Sequence, residues 1–253
     1  MEARKYYFVI LFLISSLHLF AQRKEVEVIY IGDSITAGAG VGDAAKSPPA
    51  IASDYLQKLG IDTVKFSNQG HSGFTTVDFL PQGEAFKQVE QAANTYAGQP
   101  GLLIFSIMLG TNDSAMKGPN GAPVAPGSYF TNLKVIIDRL LNDYPGCRII
   151  VQYPLWYSPN TYNGSQYLQE GLNRLQSYYP LIKQLVKSYA KTNNGQVFAG
   201  DTTPFSYFKT NYLTSFQAEN GHQGVFYLHP NEAGAKALGT FWAKSIYKQV
   251  IKY

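Results

Sequence analysis

Five short runs of β-branched and aromatic side chains alternate, in succession, with longer stretches whose apolar residues recur at helical spacing. The first run, 26–31, holds Val26, Val28, Ile29, Tyr30 and Ile31, the residue types a buried strand favours. Residues 64–66, 102–109, 148–153 and 196–199 supply the other four, and the very apolar 102–109 is expected at the centre of a sheet. Between them, Ile51, Tyr55, Leu56 and Leu59 mark one helix, stopped by Gly60. Phe86, Val89, Ala93 and Tyr96 mark a second, over about 83–96. A third follows a Gly- and Pro-rich loop at 114–128 and carries Leu133, Ile136, Ile137, Leu140 and Leu141. A fourth is predicted over 166–191 with a kink at Pro180, and a last one turns Leu238, Phe241, Trp242 and Ile246 inward. From Asp201 to His229 the chain reads as a long irregular stretch.

Such alternation implies a parallel sheet covered on both faces. Right-handed crossovers leave few topologies, and the expectation is an α/β, flavodoxin-like three-layer αβα sandwich around a five-stranded sheet. No Pro/Gly/Ser-rich linker separates two apolar cores, so residues 22–253 are read as one domain. Residues 1–21 read instead as a signal peptide: Arg4 and Lys5 precede an uncharged run at 6–20, with Ala21 as the small residue for cleavage. That run is too short for a stable membrane span, so the expected location is secreted or periplasmic. Removal of Glu2, Arg4 and Lys5 lowers the formal net charge from +4 to +3, too little and too scattered for nucleic acid. Cys147 is the only cysteine, which excludes an internal disulfide, and its place in an apolar run marks it as a core residue.

Polar loops follow the first three strands: Gly32-Asp33-Ser34, then Asn68 to Gly73, then Gly110-Thr111-Asn112-Asp113. In a parallel sheet these open on one edge, where open α/β sheets place ligands. His229 precedes the last helix, whose N-terminus is expected at the same edge. Acyl transfer by a serine needs a base for its proton and donors aimed at the developing oxyanion. Ser34 can attack, His229 can act as base, and the Asn112 amide with the N–H groups of Ser34 and Gly73 can form the oxyanion hole. No metal-ligand spacing of His, Cys and acidic residues is present, so neither a metal nor another cofactor is expected.

In ordered blocks the chain resembles the SGNH (GDSL-like) hydrolases: Gly32-Asp33-Ser34-Ile35-Thr36, Asn68 to Gly73, Gly110-Thr111-Asn112-Asp113, and His229-Pro230-Asn231. The resemblance spans the chain beyond the leader and implies a flavodoxin-like serine esterase, often acting on acetylated sugars or lipids. Thr36 separates the serine context from the Gly-x-Ser-x-Gly elbow of α/β-hydrolases. One position departs from the family pattern. Three residues before the histidine, where the family usually has aspartate, stands Phe226.

Three arrangements then compete. A main-chain carbonyl such as that of Phe226 orients the imidazole, a carboxylate arrives from Glu219 or Asp201, or the site binds a ligand without catalysis. An active esterase is the expected case, removing small acyl groups, acetyl first, from a small-molecule or glycan ester. The alternatives are a glycan-binding protein on a decayed esterase fold and a lysophospholipase or thioesterase. His71 lies beside the expected hole, and His222 sits in a turn-like segment and is expected in solvent. Trp156 and Tyr157 offer either a sugar-stacking face or an aromatic plug over the core. Asp33 and Asp113 are expected to hold loop hydrogen bonds rather than move protons.

Overall fold

A computed structural model describes residues 24–250, so the leader at 1–21 lies outside the described residues. Strand β1 (Glu25–Gly32) leads through the single turn α1 (Ser34–Ala37) to α2 (Pro48–Lys58), followed by β2 (Thr63–Gly70), α3 (Glu84–Asn94) and β3 (Leu102–Met108). Then come α4 (Pro126–Asp143), β4 (Arg148–Val151), α5 (Leu168–Tyr189) and β5 (Val197–Ala199). The five strands form one parallel sheet in the order β2-β1-β3-β4-β5, the flavodoxin-like order. Helices cover both faces because successive strand residues point to opposite sides. Val26, Val28 and Tyr30 pack with α2, while Ile29 and Ile31 pack with α3 and α4. The indole of Trp242 stacks on Tyr30 at 5.7 Å, which closes the first of these layers.

Two expectations are corrected along the sheet and its helices. Residues 67–70 are strand, not loop: β2 pairs with β1 as far as Gly32 opposite Gly70. The strand signal fades there because β2 is an edge strand, whose polar side chains need not be buried while the backbone ladder continues. Helix α4 starts at Pro126, inside the expected loop, because proline suits the first helical turn, where its missing N–H costs nothing. Helix α5 holds Pro180 in its interior, the position where the kink is expected.

The largest correction lies between the fifth strand and His229. That stretch folds into α6 (Thr203–Thr210), α7 (Tyr212–Ser215) and a hairpin of β6 (Glu219–Gly221) with β7 (Gly224–Phe226), ahead of α8 (Glu232–Val250). Strands of three residues are too short to show an alternation, so nothing periodic marks them. Asn231 joins the segment to α8: its amide donates to the carbonyls of Thr214 and Phe216, and its own oxygen accepts from Gly234 N. No helix among the described residues is long and apolar enough to cross a membrane.

Candidate active site

The serine is placed by a strand that turns into a helix within two residues. Asp33 caps α1, its carboxylate accepting from Ile35 N at 2.9 Å. Only glycine fits at position 32, since a Cβ there would lie 2.0 Å from Thr36 Oγ1 and 2.7 Å from the Met108 carbonyl. Ser34 therefore opens the helix with its own N–H free of intrahelical partners. Its side chain stands in a cleft of about 230 Å³ shared with Ser72, Gly73, Asn112, Tyr167 and His229. Ser34 Oγ lies 3.0 Å from His229 Nε2.

His229 is held from both sides. Its carbonyl accepts from Gln217 N at 2.9 Å, and both carboxylate oxygens of Glu219 lie 3.0 Å from its Nδ1. Glu219 Oε1 also accepts from the His229 backbone N–H at 3.2 Å. An ionised carboxylate can only accept, so Nδ1 carries the proton and Nε2 turns its lone pair to Ser34. Hydroxyl, imidazole and carboxylate thus stand in line, hydrogen-bonded in succession.

Of the three arrangements left open by Phe226, the glutamate is the one at the ring. β6 pairs with β7 so that Glu219 faces Phe226, and directly opposed residues of an antiparallel pair share a face. The carboxylate therefore rises beside the position where the family usually has its acid, while the Phe226 ring, 1 % exposed, belongs to the core. Asp201 is elsewhere: it accepts from Thr203 N and Oγ1 at the start of α6. The Phe226 carbonyl is not what meets Nδ1.

The remaining blocks gather at the same rim. Gly73 adopts φ +82°, a left-handed backbone that favours glycine, and so turns the chain along the cleft wall. Asn112 Nδ2 donates to the Phe74 carbonyl at 2.9 Å, and Asn112 Oδ1 accepts from the Tyr167 hydroxyl at 2.6 Å. Asn68 does not line the cleft; its amide donates to the Thr36 carbonyl and steadies the serine turn.

The sequence model of the GDSL-like lipase/acylhydrolase family matches residues 30–237. The chain belongs to this family. The same three-layer architecture recurs in solved structures of low sequence identity. A lipase/acylhydrolase from Enterococcus faecalis superposes with a TM-score of 0.60 at 16% identity, over 88% of this chain and 96% of that one. The aryl esterase of M. smegmatis gives 0.58 at 17%, over 88% and 99%. A family 3 carbohydrate esterase from Clostridium thermocellum gives 0.57 at 18%, over 90% and 98%. No functionally curated protein matches the sequence at a significant level.

Two buried carboxylates lie behind the serine loop of this GDSL-like hydrolase. Burial pushes Asp33 up to about 6, against the Ile35 N–H that pulls it down. Burial likewise pushes Asp113 up to about 7, although Thr76 donates to it through both its N–H and its hydroxyl. Both hold loops together, as expected. His71 stacks on Phe74 at 4.9 Å, and burial lowers its pKa. His222 is exposed, with its ring against Tyr162 at 4.5 Å.

Trp156 and Tyr157 are plug rather than platform. Trp156 packs against Tyr212 and Phe216, and the Tyr157 hydroxyl bonds Ser114 Oγ at 2.9 Å. Tyr167 is a site residue that sequence reading missed, since nothing sets it apart among nineteen tyrosines. Only its position ahead of a helix could have hinted at it. Cys147 is a buried core thiol, pushed up to about 12 by burial. Among the described residues no group of His, Cys, Asp and Glu could hold a metal ion.

Proposed function

We propose that the chain is an exported serine esterase that removes small acyl groups, acetyl first among them, from carbohydrate. The observation that carries this reading is the line from Ser34 Oγ through His229 to Glu219, with 3.0 Å at each step. Nε2 takes the hydroxyl proton as Oγ attacks the ester carbonyl, and the Glu219 carboxylate stabilises the imidazolium that forms. The oxyanion faces the N–H groups of Ser34 and Gly73 and the Asn112 amide. The imidazolium then gives its proton to the departing alkoxide and leaves an acyl-serine. Water, deprotonated by the same nitrogen, attacks the acyl-serine; as the Oγ–acyl bond breaks, the imidazolium returns its proton to Ser34 Oγ and the acid is released.

Two features favour a short acyl group on a polar alcohol. A cleft of about 230 Å³ lies below the roughly 300–1,000 Å³ of sites for drug-sized ligands. Asn163 and Ser165 also line it, with amide and hydroxyl groups that suit sugar hydroxyls. A carbohydrate esterase and a carbohydrate acetylesterase stand among the structural neighbours. The leader read from the sequence supports export. Glu219 on the ring supplies the carboxylate that position 226 lacks, which supports a catalytic site over a binding-only one.

The test is hydrolysis of p-nitrophenyl acetate, p-nitrophenyl octanoate and an acetylated xylo-oligosaccharide by wild type and Ser34→Ala. Acetate should be hydrolysed far faster than octanoate, the oligosaccharide should lose acetyl groups, and Ser34→Ala should lose at least about 10³-fold. A Ser34→Ala protein as active as wild type would end the serine mechanism, and a preference for octanoate would move the substrate to lipids.

A further inference from the structure

We propose that Tyr167 is a positioning residue that decides which edge of the Asn112 amide faces the cleft, held in place by the left-handed backbone at Leu168. The inference rests on Asn112 being an oxyanion donor, as in the function proposed above. A carboxamide has a donor edge and an acceptor edge, and a half-turn of the side chain exchanges them. Only the donor edge stabilises an oxyanion; the oxygen would repel it.

Two contacts select the orientation. The Phe74 carbonyl takes one Nδ2 hydrogen at 2.9 Å, and the Tyr167 hydroxyl donates to Oδ1 at 2.6 Å. Reversal would set Oδ1 against a carbonyl and leave the phenol hydrogen with no acceptor at that site. In the observed orientation the second Nδ2 hydrogen remains for the cleft that Asn112 lines. Tyr167 is buried, and burial raises its pKa, so its proton stays on the oxygen across the working pH range.

The ring is braced back to the loop that carries Asn112. Tyr167 meets Tyr157 edge to face at 5.4 Å, and the Tyr157 hydroxyl is bonded to Ser114 Oγ, which donates to the Thr111 carbonyl. The backbone bears the strain. Leu168, at φ 57°, is the only non-glycine residue in the left-handed region among the described residues. A leucine there is unfavourable, and such strain persists only when neighbours over-determine it. Here Tyr167 N and Leu168 N both donate to the carbonyl of the buried Thr161, at 3.1 and 3.2 Å. That pinch sets the direction in which Tyr167 leaves the chain before α5 begins.

Tyr167→Phe removes one oxygen and keeps the ring packing. On p-nitrophenyl acetate it should lower kcat about tenfold with KM within twofold, less than the roughly 10²–10³ lost with an oxyanion donor itself. In an Asn112→Ala background the same substitution should change nothing further. Leu168→Val, whose branched side chain resists the left-handed turn, should reproduce the kcat loss and add nothing to Tyr167→Phe. An unchanged kcat in Tyr167→Phe, a loss appearing in KM, or losses that multiply with Asn112→Ala would overturn the positioning role while leaving the Ser34 mechanism standing. A Leu168→Val loss that multiplies with Tyr167→Phe would sever the backbone strain from it. Full activity in Asn112→Ala would remove the oxyanion role of Asn112, and the inference with it.

Discussion

The Glu219 carboxylate accepts from the ring and from the main chain of one histidine, so a single side chain fixes both the tautomer and the place of the imidazole. Glutamine at this position keeps the size but offers an N–H where the ring needs an acceptor, which favours the wrong tautomer. Glu219→Gln should therefore lower kcat by up to about 10⁴ with little change in KM, read in steady-state hydrolysis of p-nitrophenyl acetate. A loss below twofold would show that the ring is oriented by something else. Phe226 is not a vacant acid position awaiting repair. Its ring is part of the core, and a carboxylate there would be buried among apolar side chains.

At the scale of the element, the acid is carried by a hairpin with three residues in each strand. A two-stranded ribbon of that size is marginal in water and needs outside support. The loop after β4 supplies it: Asn160 Nδ2 donates to the carbonyls of Gln223 and Val225, and His222 N donates to the Tyr162 carbonyl at 2.8 Å. Asn160→Ala removes two of these ties without touching the cleft. It should speed amide hydrogen exchange in 219–226, leave the β1–β3 amides unchanged, and lower kcat several-fold as Glu219 loosens from the ring. Exchange that rises equally in the central sheet would mean global destabilisation instead. The 158–167 segment thus supports the acid through Asn160 and the Asn112 amide through Tyr167.

Across the whole molecule, two carboxylates behind the serine loop are raised by burial, Asp33 to about 6 and Asp113 to about 7. Between the ordinary aspartate value and these values the native state binds more protons than the unfolded chain. Their contribution to stability is complete below the unfolded pKa and is lost as pH rises through the native one. Asp113→Asn removes one titration while keeping an oxygen for the Thr76 donors. Urea unfolding from pH 4 to 8 should show wild type losing stability relative to Asp113→Asn, on the order of a few kcal/mol over the window. Parallel curves for the two proteins would show that Asp113 enters the fold already ionised.

Much of this molecule was legible as text. Strands that are buried on both faces write their apolar character into short runs, and helices write theirs at every third and fourth residue. The five-stranded order, the rim where the polar loops meet, and Ser34, Gly73, Asn112 and His229 as its members all followed from local pattern and family resemblance. Tertiary structure alone decided which acid reaches the imidazole, since Glu219 acts through cross-strand register with Phe226 and both Asp201 and Glu219 are ordinary loop acids in the sequence. It also decided that Trp156 and Tyr157 turn inward and that Tyr167 turns toward Asn112. Burial repeats along a chain and leaves a period, whereas a hydrogen bond between distant residues depends on one backbone direction and leaves none.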